Sequence, residues 1–337
     1  MFLNYHYIRK YLMQGLMHIK VPKEIASIII NSVLLTEACG VTSHGVRVLP
    51  IHVKKIINGC YNMSSDTYID VETASFTRIN CNNQIGMVSA TKCMQYAIDK
   101  SKECGIYTVI ANNCNTYGAA FIYTMQAVEQ GCIGITISNS PAQMAPIGGC
   151  SKLFGTNPLS YAIPAFRQKP IVFDMSTSVV AKSKINQARE IGAKIPEGWA
   201  LDVNGEPTTD PNEAVRGLVL PMAGAKGYGL SMMIDIIAGV LSNAAFLDGV
   251  GRFYDSNRNG MNVGHVFIAI DPQRVYGPDF YEQMDKYIIK IKSSISVDNS
   301  VIRIPGERKL EMLEKSMLKG MEIPDNILTE FNRLVKL

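Results

Sequence analysis

Strand-like and helix-like segments alternate through the middle of this 337-residue chain, and that alternation limits its possible folds most. Residues 106–111 are apolar and β-branched without helical spacing, as is typical of a buried strand. Residues 119–129 then show helical spacing, and residues 132–138 and 170–174 again have strand character. Residues 263–270 predict a further strand. The alternation predicts a central domain of mixed α/β class.

Helical segments gather at the two ends of the chain. Those predicted cover residues 2–18, 23–38, about 44–59, 279–294, 308–320 and 325–336. We therefore expect a helical domain built from residues 1–72 with 273–337. Residues 73–272 would form the central α/β domain.

Two segments of the central domain are unusual in composition. Residues 204–218 are dense in turn-forming residues, which predicts a surface loop. Residues 229–246 are the most apolar part of the chain, but they carry Asp235 and are short for a membrane span. The second segment therefore predicts a buried helix.

Charge and cysteine usage exclude several classes of protein. The net charge of +4 comes from 33 basic and 29 acidic residues spread along the whole chain, unlike the basic patch of a nucleic-acid-binding protein. We therefore expect no nucleic-acid and no membrane partner. No leader peptide is recognised and no Cys-x-x-Cys pair occurs, so reduced thiols in a cytoplasmic protein are expected, with a disulfide framework as the alternative. No metal site is expected, because the five histidines lack ligand spacing. The cysteines are Cys39, Cys60, Cys81, Cys93, Cys104, Cys114, Cys132 and Cys150.

The segment Thr42-Ser43-His44-Gly45 is the leading candidate for catalysis. An imidazole titrates near neutral pH and can pass a proton in either direction. Arg47, three residues further on, could lie on the same helical face and bind a carboxylate. Together they predict proton transfer on a small acid.

Three glycine-containing loops have the composition of ligand cradles. Gly224-Ala-Lys-Gly-Tyr-Gly229 precedes an apolar helix, so its backbone N–H groups and Lys226 could bind an anion. A glycine-rich turn for tight packing is an equally good interpretation. Residues 146–149 and 155–158 are further loops beside a strand, for which packing is the preferred interpretation. No Gly-x-Gly-x-x-Gly fingerprint opens a helix, so a nicotinamide cofactor would require an atypical fold.

Seven short motifs in order resemble the malate/L-lactate dehydrogenase family of the second type, which includes ureidoglycolate, sulfolactate and diketogulonate oxidoreductases. They are Thr-Ser-His-Gly at 42–45, Gly-Thr-Asn-Pro-Leu at 155–159, Phe-Asp-Met-Ser at 173–176, Ile-Pro-Glu-Gly-Trp-Ala at 195–200, Pro-Thr-Thr-Asp-Pro at 207–211, Lys-Gly-Tyr-Gly at 226–229 and Asn-Val-Gly-His at 262–265. The resemblance covers nearly the whole chain.

The resemblance implies a homodimeric oxidoreductase that interconverts small 2-hydroxy and 2-oxo acids, with a non-Rossmann domain binding NAD or NADP. NAD is the slightly favoured cofactor. By similarity His44 exchanges a proton with the substrate oxygen. The residues implied in cofactor binding are Ser140, Gly155, Asp174, Met175, Ser176, Gly224, Lys226, Pro305, Gly306 and Glu307.

Three positions of the implied site depart from the family pattern. Thr116 stands where the family usually has a second histidine, and a threonine hydroxyl does not titrate near pH 7. Val48 occupies the usual arginine position, so Arg47 is one residue out of register. His52 replaces a tyrosine and lies eight residues after His44, about two helical turns, which makes it a candidate second acid–base group. A packing or surface role for His52 is the preferred alternative.

These departures leave three hypotheses open. In the first, the chain is an active enzyme in which His44 works alone or with His52. In the second, it is a catalytically impaired paralogue that binds NAD(P)H and serves a binding or regulatory role. In the third, the fold persists without the cofactor, against which the retained Lys226, Asp174 and Gly155 loop argue.

Overall fold

A seven-stranded mixed sheet forms the centre of the computed structural model, which describes residues 2–64, 66–255 and 260–336. The strands are β1 (Phe2–Leu3), β2 (Tyr68–Glu72), β3 (Phe76–Asn80), β4 (Ile106–Cys114), β5 (Ile133–Ser138), β6 (Leu159–Ile163), β7 (Ile171–Met175), β8 (Ala200–Leu201), β9 (Pro207–Thr208), β10 (Leu218–Val219), β11 (Val263–Ile270) and β12 (Met321–Glu322). The order in the main sheet is β2-β3-β4-β11-β5-β6-β7, and only the β3–β4 pair is parallel. The predicted mixed α/β class is confirmed.

Helices cover both faces of this sheet and form a separate layer at the chain ends. They are α1 (Tyr5–His18), α2 (Lys23–Ala38), α3 (Leu49–Ile57), α4 (Gly86–Cys104), α5 (Phe121–Glu129), α6 (Lys182–Glu190), α7 (Pro211–Arg216), α8 (Ala225–Asp235), α9 (Pro272–Val275), α10 (Phe280–Lys292), α11 (Glu307–Lys319) and α12 (Asp325–Val335). The side chain of Asn4 caps α1 by accepting from two backbone N–H groups, and Pro22 precedes α2. None of the helices in the described ranges has the length and apolar character that crossing a bilayer requires.

Separate apolar cores hold these layers together. Helices α1, α2, α3 and α12 share one core, in which Leu16, Ile30 and Phe331 are fully buried. Helices α4 and α5 pack on one face of the main sheet around Tyr123 and Phe267. Helix α8 and the turn after it cover the other face. Helix α12 packs against α1 and α3, so this helical layer contains elements from both ends of the chain.

The predicted domain limits differ from this packing in two places. Strand β2 belongs to the main sheet although it precedes residue 73. Helix α10 buries Ile288 against Ile171 of β7 and Ile304, so it packs on the sheet rather than on the terminal helices. The division into domains itself remains a prediction.

Three local predictions are wrong. Residues 44–59 are not one helix, because a turn and a 3₁₀ segment (Val46–Val48) precede α3. Residues 204–218 are not an unstructured loop: they contain β9, β10 and α7, which Asp210 caps. Residues 229–246 are not one buried helix, because α8 passes into a π-helical turn (Ile236–Val240) whose outer side chains are exposed.

Candidate active site

The carboxyl ends of β3, β4, β5 and β7 lie at one edge of the main sheet. Strands β3 and β4 are parallel. Strand β11 is antiparallel to both β4 and β5, and β6 is antiparallel to both β5 and β7, so β3, β4, β5 and β7 all run in the same direction. Ligands of open α/β sheets bind outside the carboxyl ends of strands. The segments that follow three of these strands, residues 115–118, 139–140 and 176–178, contain many of the implied site residues.

The His44 loop rests on a buried carboxylate from α2. The Glu37 carboxylate accepts a hydrogen bond from Val46 N at 2.9 Å. A Cβ added at Gly45 would lie 2.0 Å from that carboxylate, so only glycine fits beside it. Ser43 Oγ and His44 Nδ1 are 2.8 Å apart, which leaves Nε2 of the ring for a substrate. The contact between Ser43 and Nδ1 thus fixes the His44 ring, with Nε2 as the nitrogen that a substrate can reach.

The charge that acts on His44 comes from Asp174 of β7, which in turn lies beside a lysine of α11. Burial lowers the pKa of His44, and the Asp174 carboxylate opposes that effect. His44 is nevertheless an exposed residue, so a ligand could reach it. Lys309 lies 3.5 Å from Asp174, and its ammonium is 4.7 Å from the centre of the Phe121 ring. His44, Asp174 and Lys309 are thereby brought together from three distant parts of the sequence.

Arg47 is exposed in the 3₁₀ segment that follows His44, and its charge acts on buried Glu37. No ion-pair partner lies within 4.0 Å of Arg47 in the part of the chain that the structure describes. Val48, at the usual arginine position, packs against the core of the terminal helices. Arg47 is therefore the cation of this loop that remains available to a carboxylate.

His52 lies in the interior of α3. Its side chain is 1% exposed, its Nδ1 is 2.9 Å from the Tyr61 hydroxyl, and its ring contacts Phe253 at 5.0 Å between centroids. Burial, together with the charge of Lys55, lowers the pKa of His52 to about 3. The continuous helix that would align His52 with His44 is absent, so the geometry favours the packing role for His52.

Residues 115–118 connect β4 to the helix that follows and carry the substituted Thr116. Thr116 is half-buried, and its hydroxyl lies 3.5 Å from Gly118 N. His265 Nε2 donates to the Asn115 carbonyl at 3.0 Å, and its Nδ1 accepts from Ser138 Oγ at 2.8 Å. Burial lowers the pKa of His265 to about 3, so this ring is a neutral, hydrogen-bonded support in the core.

A tyrosine follows Thr116, and its hydroxyl was not anticipated from the sequence. The Tyr117 ring packs 4.2 Å from that of His265, and its buried hydroxyl has no hydrogen-bond partner among the described residues. Burial raises the pKa of Tyr117, and the Asp174 charge raises it further. Lys309 was also missed, because no motif surrounds it and only the fold brings it to Asp174.

Residues 220–227 form an open cradle at the amino end of α8. Gly224 has φ +60°, a conformation that favours glycine, and a Cβ added there would meet nothing within 4 Å. Lys226, in the first turn of α8, is exposed. Free N–H groups at a helix start attract anions, so this cradle fits a phosphate group of a dinucleotide.

The loop at Gly155 is tied to the same place by buried polar contacts. Asn157 accepts from Ser140 N at 3.0 Å and donates to the Ser231 carbonyl of α8 at 2.9 Å. A Cβ at Gly155 would lie 2.1 Å from the Ser140 carbonyl oxygen. The close approach to Ser140 explains why residue 155 is a glycine, and the Asn157 side chain holds the loop against α8.

The remaining implied cofactor residues form two short segments, one at the carboxyl end of β7 and one packed on its amino-terminal half. Met175 ends β7, and Ser176 Oγ lies 3.0 Å from Ser178 Oγ. Gly306 has φ +93° and packs tightly on Val172, while the Pro305 carbonyl accepts from Val172 N. Glu307 is engaged elsewhere, because its carboxylate pairs with Lys292. Its side chain anchors α11 in this structure.

A second polar depression, of about 600 Å³, lies near β3 and β4. It is lined by Asp70, Arg78, Asn80, Asn112, Asn113, Asn243 and Asn262. Its Asn112 donates to the Ser242 carbonyl after the π-helical turn, so it opens on the side of the sheet opposite His265 and Tyr117. It contains neither a histidine nor a cradle, and we do not assign the chemistry to it.

The family model for malate/L-lactate dehydrogenases matches residues 3–332 of the chain. The chain belongs to the malate/L-lactate dehydrogenase family. The resemblance inferred from seven motifs is thereby confirmed, and the chain is a 2-hydroxy-acid dehydrogenase by class. Nothing in these comparisons supports the alternative of a catalytically impaired binding protein.

Relatives in this family have several named substrates. The malate/(S)-sulfolactate dehydrogenase of Methanothermus fervidus is 36% identical, over 93% of this chain and 91% of the relative. The ureidoglycolate dehydrogenase (NAD⁺) of Escherichia coli K12 is 32% identical, over 90% and 87%. The (2R)-3-sulfolactate dehydrogenase (NADP⁺) of Chromohalobacter salexigens is 29% identical, over 92% and 91%.

A solved structure has nearly the same fold. The sulfolactate dehydrogenase of Methanocaldococcus jannaschii superposes with a TM-score of 0.92 at 32% identity, covering 100% of this chain and 97% of that one. The arrangement of both helical layers around the mixed sheet is therefore that of the malate/L-lactate dehydrogenases.

Proposed function

We propose that this dehydrogenase interconverts a small 2-hydroxy acid of the malate, lactate or ureidoglycolate class with its 2-oxo acid, using NAD or NADP. The observation that carries the proposal is the convergence of His44 and Asp174 at the sheet edge that also carries the open cradle at Gly224. Relatives named for NAD⁺ and for NADP⁺ support the cofactor class.

Each nearby residue has a role in such a reaction. In the reductive direction His44 Nε2 donates a proton to the substrate oxygen, and Ser43 fixes the ring through Nδ1. Arg47, which has no ion-pair partner among the described residues, pairs with the substrate carboxylate. The nicotinamide group supplies the hydride when bound. Gly224 and Lys226 would hold the phosphates of the dinucleotide, and the Asp174 carboxylate favours the protonated form of His44.

The change at Thr116 leaves His44 as the titrating group that faces the site. Thr116 can donate a hydrogen bond but not a proton at neutral pH. His52, with a pKa of about 3 and a hydrogen bond to Tyr61, stays neutral throughout the physiological range. We therefore assign proton transfer to His44 alone.

A substrate panel tests the proposed activity. Purified protein is mixed with NADH or NADPH and with oxaloacetate, pyruvate or oxalurate, and cofactor absorbance is followed. We expect steady oxidation of a reduced cofactor with at least one of these acids. If none is reduced, while Thr116→His creates turnover, the natural sequence is not an active dehydrogenase of this class. If neither cofactor binds, the proposed function fails altogether.

The proposal includes a homodimer in the cytoplasm. Side chains on the outer face of α8 and the turn after it are apolar yet exposed by 42% to 56%, which suits contact with a second copy. They are Met233, Ile236, Val240 and Leu241. Sedimentation velocity is expected to give twice the chain mass of 37.1 kDa, and Ile236→Lys with Val240→Lys to shift it toward a monomer. A wild-type monomer at micromolar concentration contradicts the dimer. Cell fractionation tests the location.

A further inference from the structure

Asparagines are concentrated where two neighbouring strands end. Residues 80–83 have the sequence Asn-Cys-Asn-Asn, and residues 112–115 have the sequence Asn-Asn-Cys-Asn. Strands β3 and β4 are parallel, and Asn80 pairs with Asn112, so both runs lie at the same edge of the sheet. Side chains alternate between the two faces of a strand, which places Arg78 on the same face as Asn80. All three of these side chains line the polar depression of about 600 Å³.

The polar depression is separate from the proposed cofactor cradle. Helix α8 begins at the cradle, and the chain reaches the lining residue Asn243 only after α8 and the π-helical turn. At about 1.5 Å per residue, that helical path is roughly 20 Å long. Strand β7, which carries Asp174, is five strands away from β3, or roughly 24 Å at about 4.8 Å per strand. A molecule bound in the polar depression is therefore a second ligand.

Backbone groups fix which end of each lining amide is free. Asn80 Oδ1 accepts from Asn82 N at 2.8 Å, and Asn262 Oδ1 accepts from Asn113 N at 3.1 Å. The Nδ2 groups of Asn80 and Asn262 are thus the ends left to donate. Asn112 is held the other way round, because its Nδ2 donates to a backbone carbonyl after the π-helical turn at 2.7 Å. The polar depression therefore offers both donors and acceptors in fixed orientations.

A cation and a carboxylate lie side by side in the same wall. Arg78 Nε is 3.5 Å from Asp70 Oδ2, and the two side chains are 30% and 29% exposed. The Nε atom itself is buried and has no hydrogen-bond partner among the described residues. Exposed ion pairs of this kind are weak, so both charges keep capacity for a ligand. A ligand with adjacent charges of opposite sign can align antiparallel to this pair.

We propose that the polar depression binds a small α-amino acid in its zwitterionic form. The carboxylate of the amino acid accepts from Arg78 and from the amide nitrogens of Asn80 and Asn262. Its ammonium donates to Asp70 and to the amide oxygen of Asn112. Every lining side chain is charged or an amide, so a short polar side chain suits the site better than an apolar one. This inference goes beyond the proposed function and does not depend on it.

Calorimetric titration with L-serine and two analogues tests this site. The first analogue, 3-hydroxypropanoate, lacks the ammonium of serine, and the second, ethanolamine, lacks its carboxylate. We expect L-serine to bind at least about tenfold more tightly than either analogue, because each charged contact is worth roughly a factor of ten. L-Leucine is expected to bind more weakly than L-serine, since no apolar side chain lines the polar depression.

Variants of the two charged residues separate their roles. Asp70→Asn keeps the shape of the side chain and is expected to weaken L-serine about tenfold while strengthening 3-hydroxypropanoate. Arg78→Gln is expected to weaken L-serine similarly and to strengthen ethanolamine. Glu103→Gln is the matched control, because Glu103 is an exposed carboxylate in the last turn of α4 and does not line the polar depression. Circular dichroism verifies that each variant is folded.

Three results overturn the proposal. The first is absence of L-serine binding by the wild type. The second is equal affinity for L-serine, both analogues and glycerol, which indicates a surface that binds hydroxyl groups without regard to charge. The third is loss of L-serine binding in Arg47→Ala together with full binding in Arg78→Gln, which places the amino acid in the active site. None of these results bears on the oxidation of NADH or NADPH by a 2-oxo acid, so the proposed function is tested separately.

Discussion

Replacing His44 with alanine is expected to lower kcat by about 10²- to 10⁴-fold, because general acid–base catalysis by one side chain contributes about that much. Affinity for the reduced cofactor should change little, since the imidazole acts on the substrate oxygen. Steady-state kinetics with the best 2-oxo acid, together with fluorescence titration of the cofactor, measure both effects.

The pH profile adds a second test of His44. Burial lowers its pKa from 6.5, so reduction of the 2-oxo acid is expected to decline as pH rises through a value below 6.5, where the acid loses its proton. Oxidation of the 2-hydroxy acid is expected to decline as pH falls through the same value, where the base becomes protonated. Both pH-dependent declines should be absent from the residual activity of His44→Ala.

Two control variants make the His44 result decisive. His18→Ala removes an exposed histidine from the end of α1 and is expected to leave kcat unchanged. His52→Phe keeps an aromatic ring beside Phe253 and removes the alternative acid–base group. If His44→Ala keeps kcat within tenfold of the wild type while His52→Phe loses it, the assignment of the proton donor is wrong.

Replacing Gly264 with alanine is expected to destabilise the protein by at least about 3 kcal/mol, the upper range for overpacking a core. An added Cβ would lie 1.5 Å from the Ala238 carbonyl oxygen in the π-helical turn. A rotamer change cannot relieve a contact with backbone, so β11 or the turn must move. Urea unfolding followed by circular dichroism measures the loss.

Gly229→Ala is the matched control for Gly264. Gly229 lies within α8, and a Cβ there would meet nothing within 4 Å. Alanine at a helical position without a clash is neutral or stabilising, by up to about 1 kcal/mol. A Gly264→Ala protein whose free energy of unfolding matches the wild type within 1 kcal/mol would contradict the close approach.

The Gly264 contact also explains why one helix was mispredicted. Residues 229–246 are apolar enough for a single helix, and nothing local marks residue 236 as a change point. The π-helical turn packs backbone against backbone on Gly264, and the amide of Gly264 donates to the buried Asn139 side chain at 2.9 Å. Such contacts across the fold override local helix propensity.

The His44 loop shows the same limit at shorter range. The motif Ser-His-Gly identified a catalytic candidate, but the spacing of His44 and His52 was interpreted on a continuous helix. Buried Glu37 from α2 instead binds Val46 N and fixes a turn before α3. The apolar spacing of residues 44–59 cannot predict this turn, because the Glu37 carboxylate that fixes it comes from another helix.

The sequence by itself determined the mixed α/β class, most strand positions, the family and the candidacy of His44. These depend on local patterns: apolar spacing within one element, and motifs a few residues long. Only the tertiary structure decided what surrounds His44, because Asp174 and Lys309 are separated from it by 130 and 265 residues. It alone placed His52 in a core and left Arg47 without an ion-pair partner among the described residues. Burial and charge depend on neighbours through space, so their effect on each group followed from the fold.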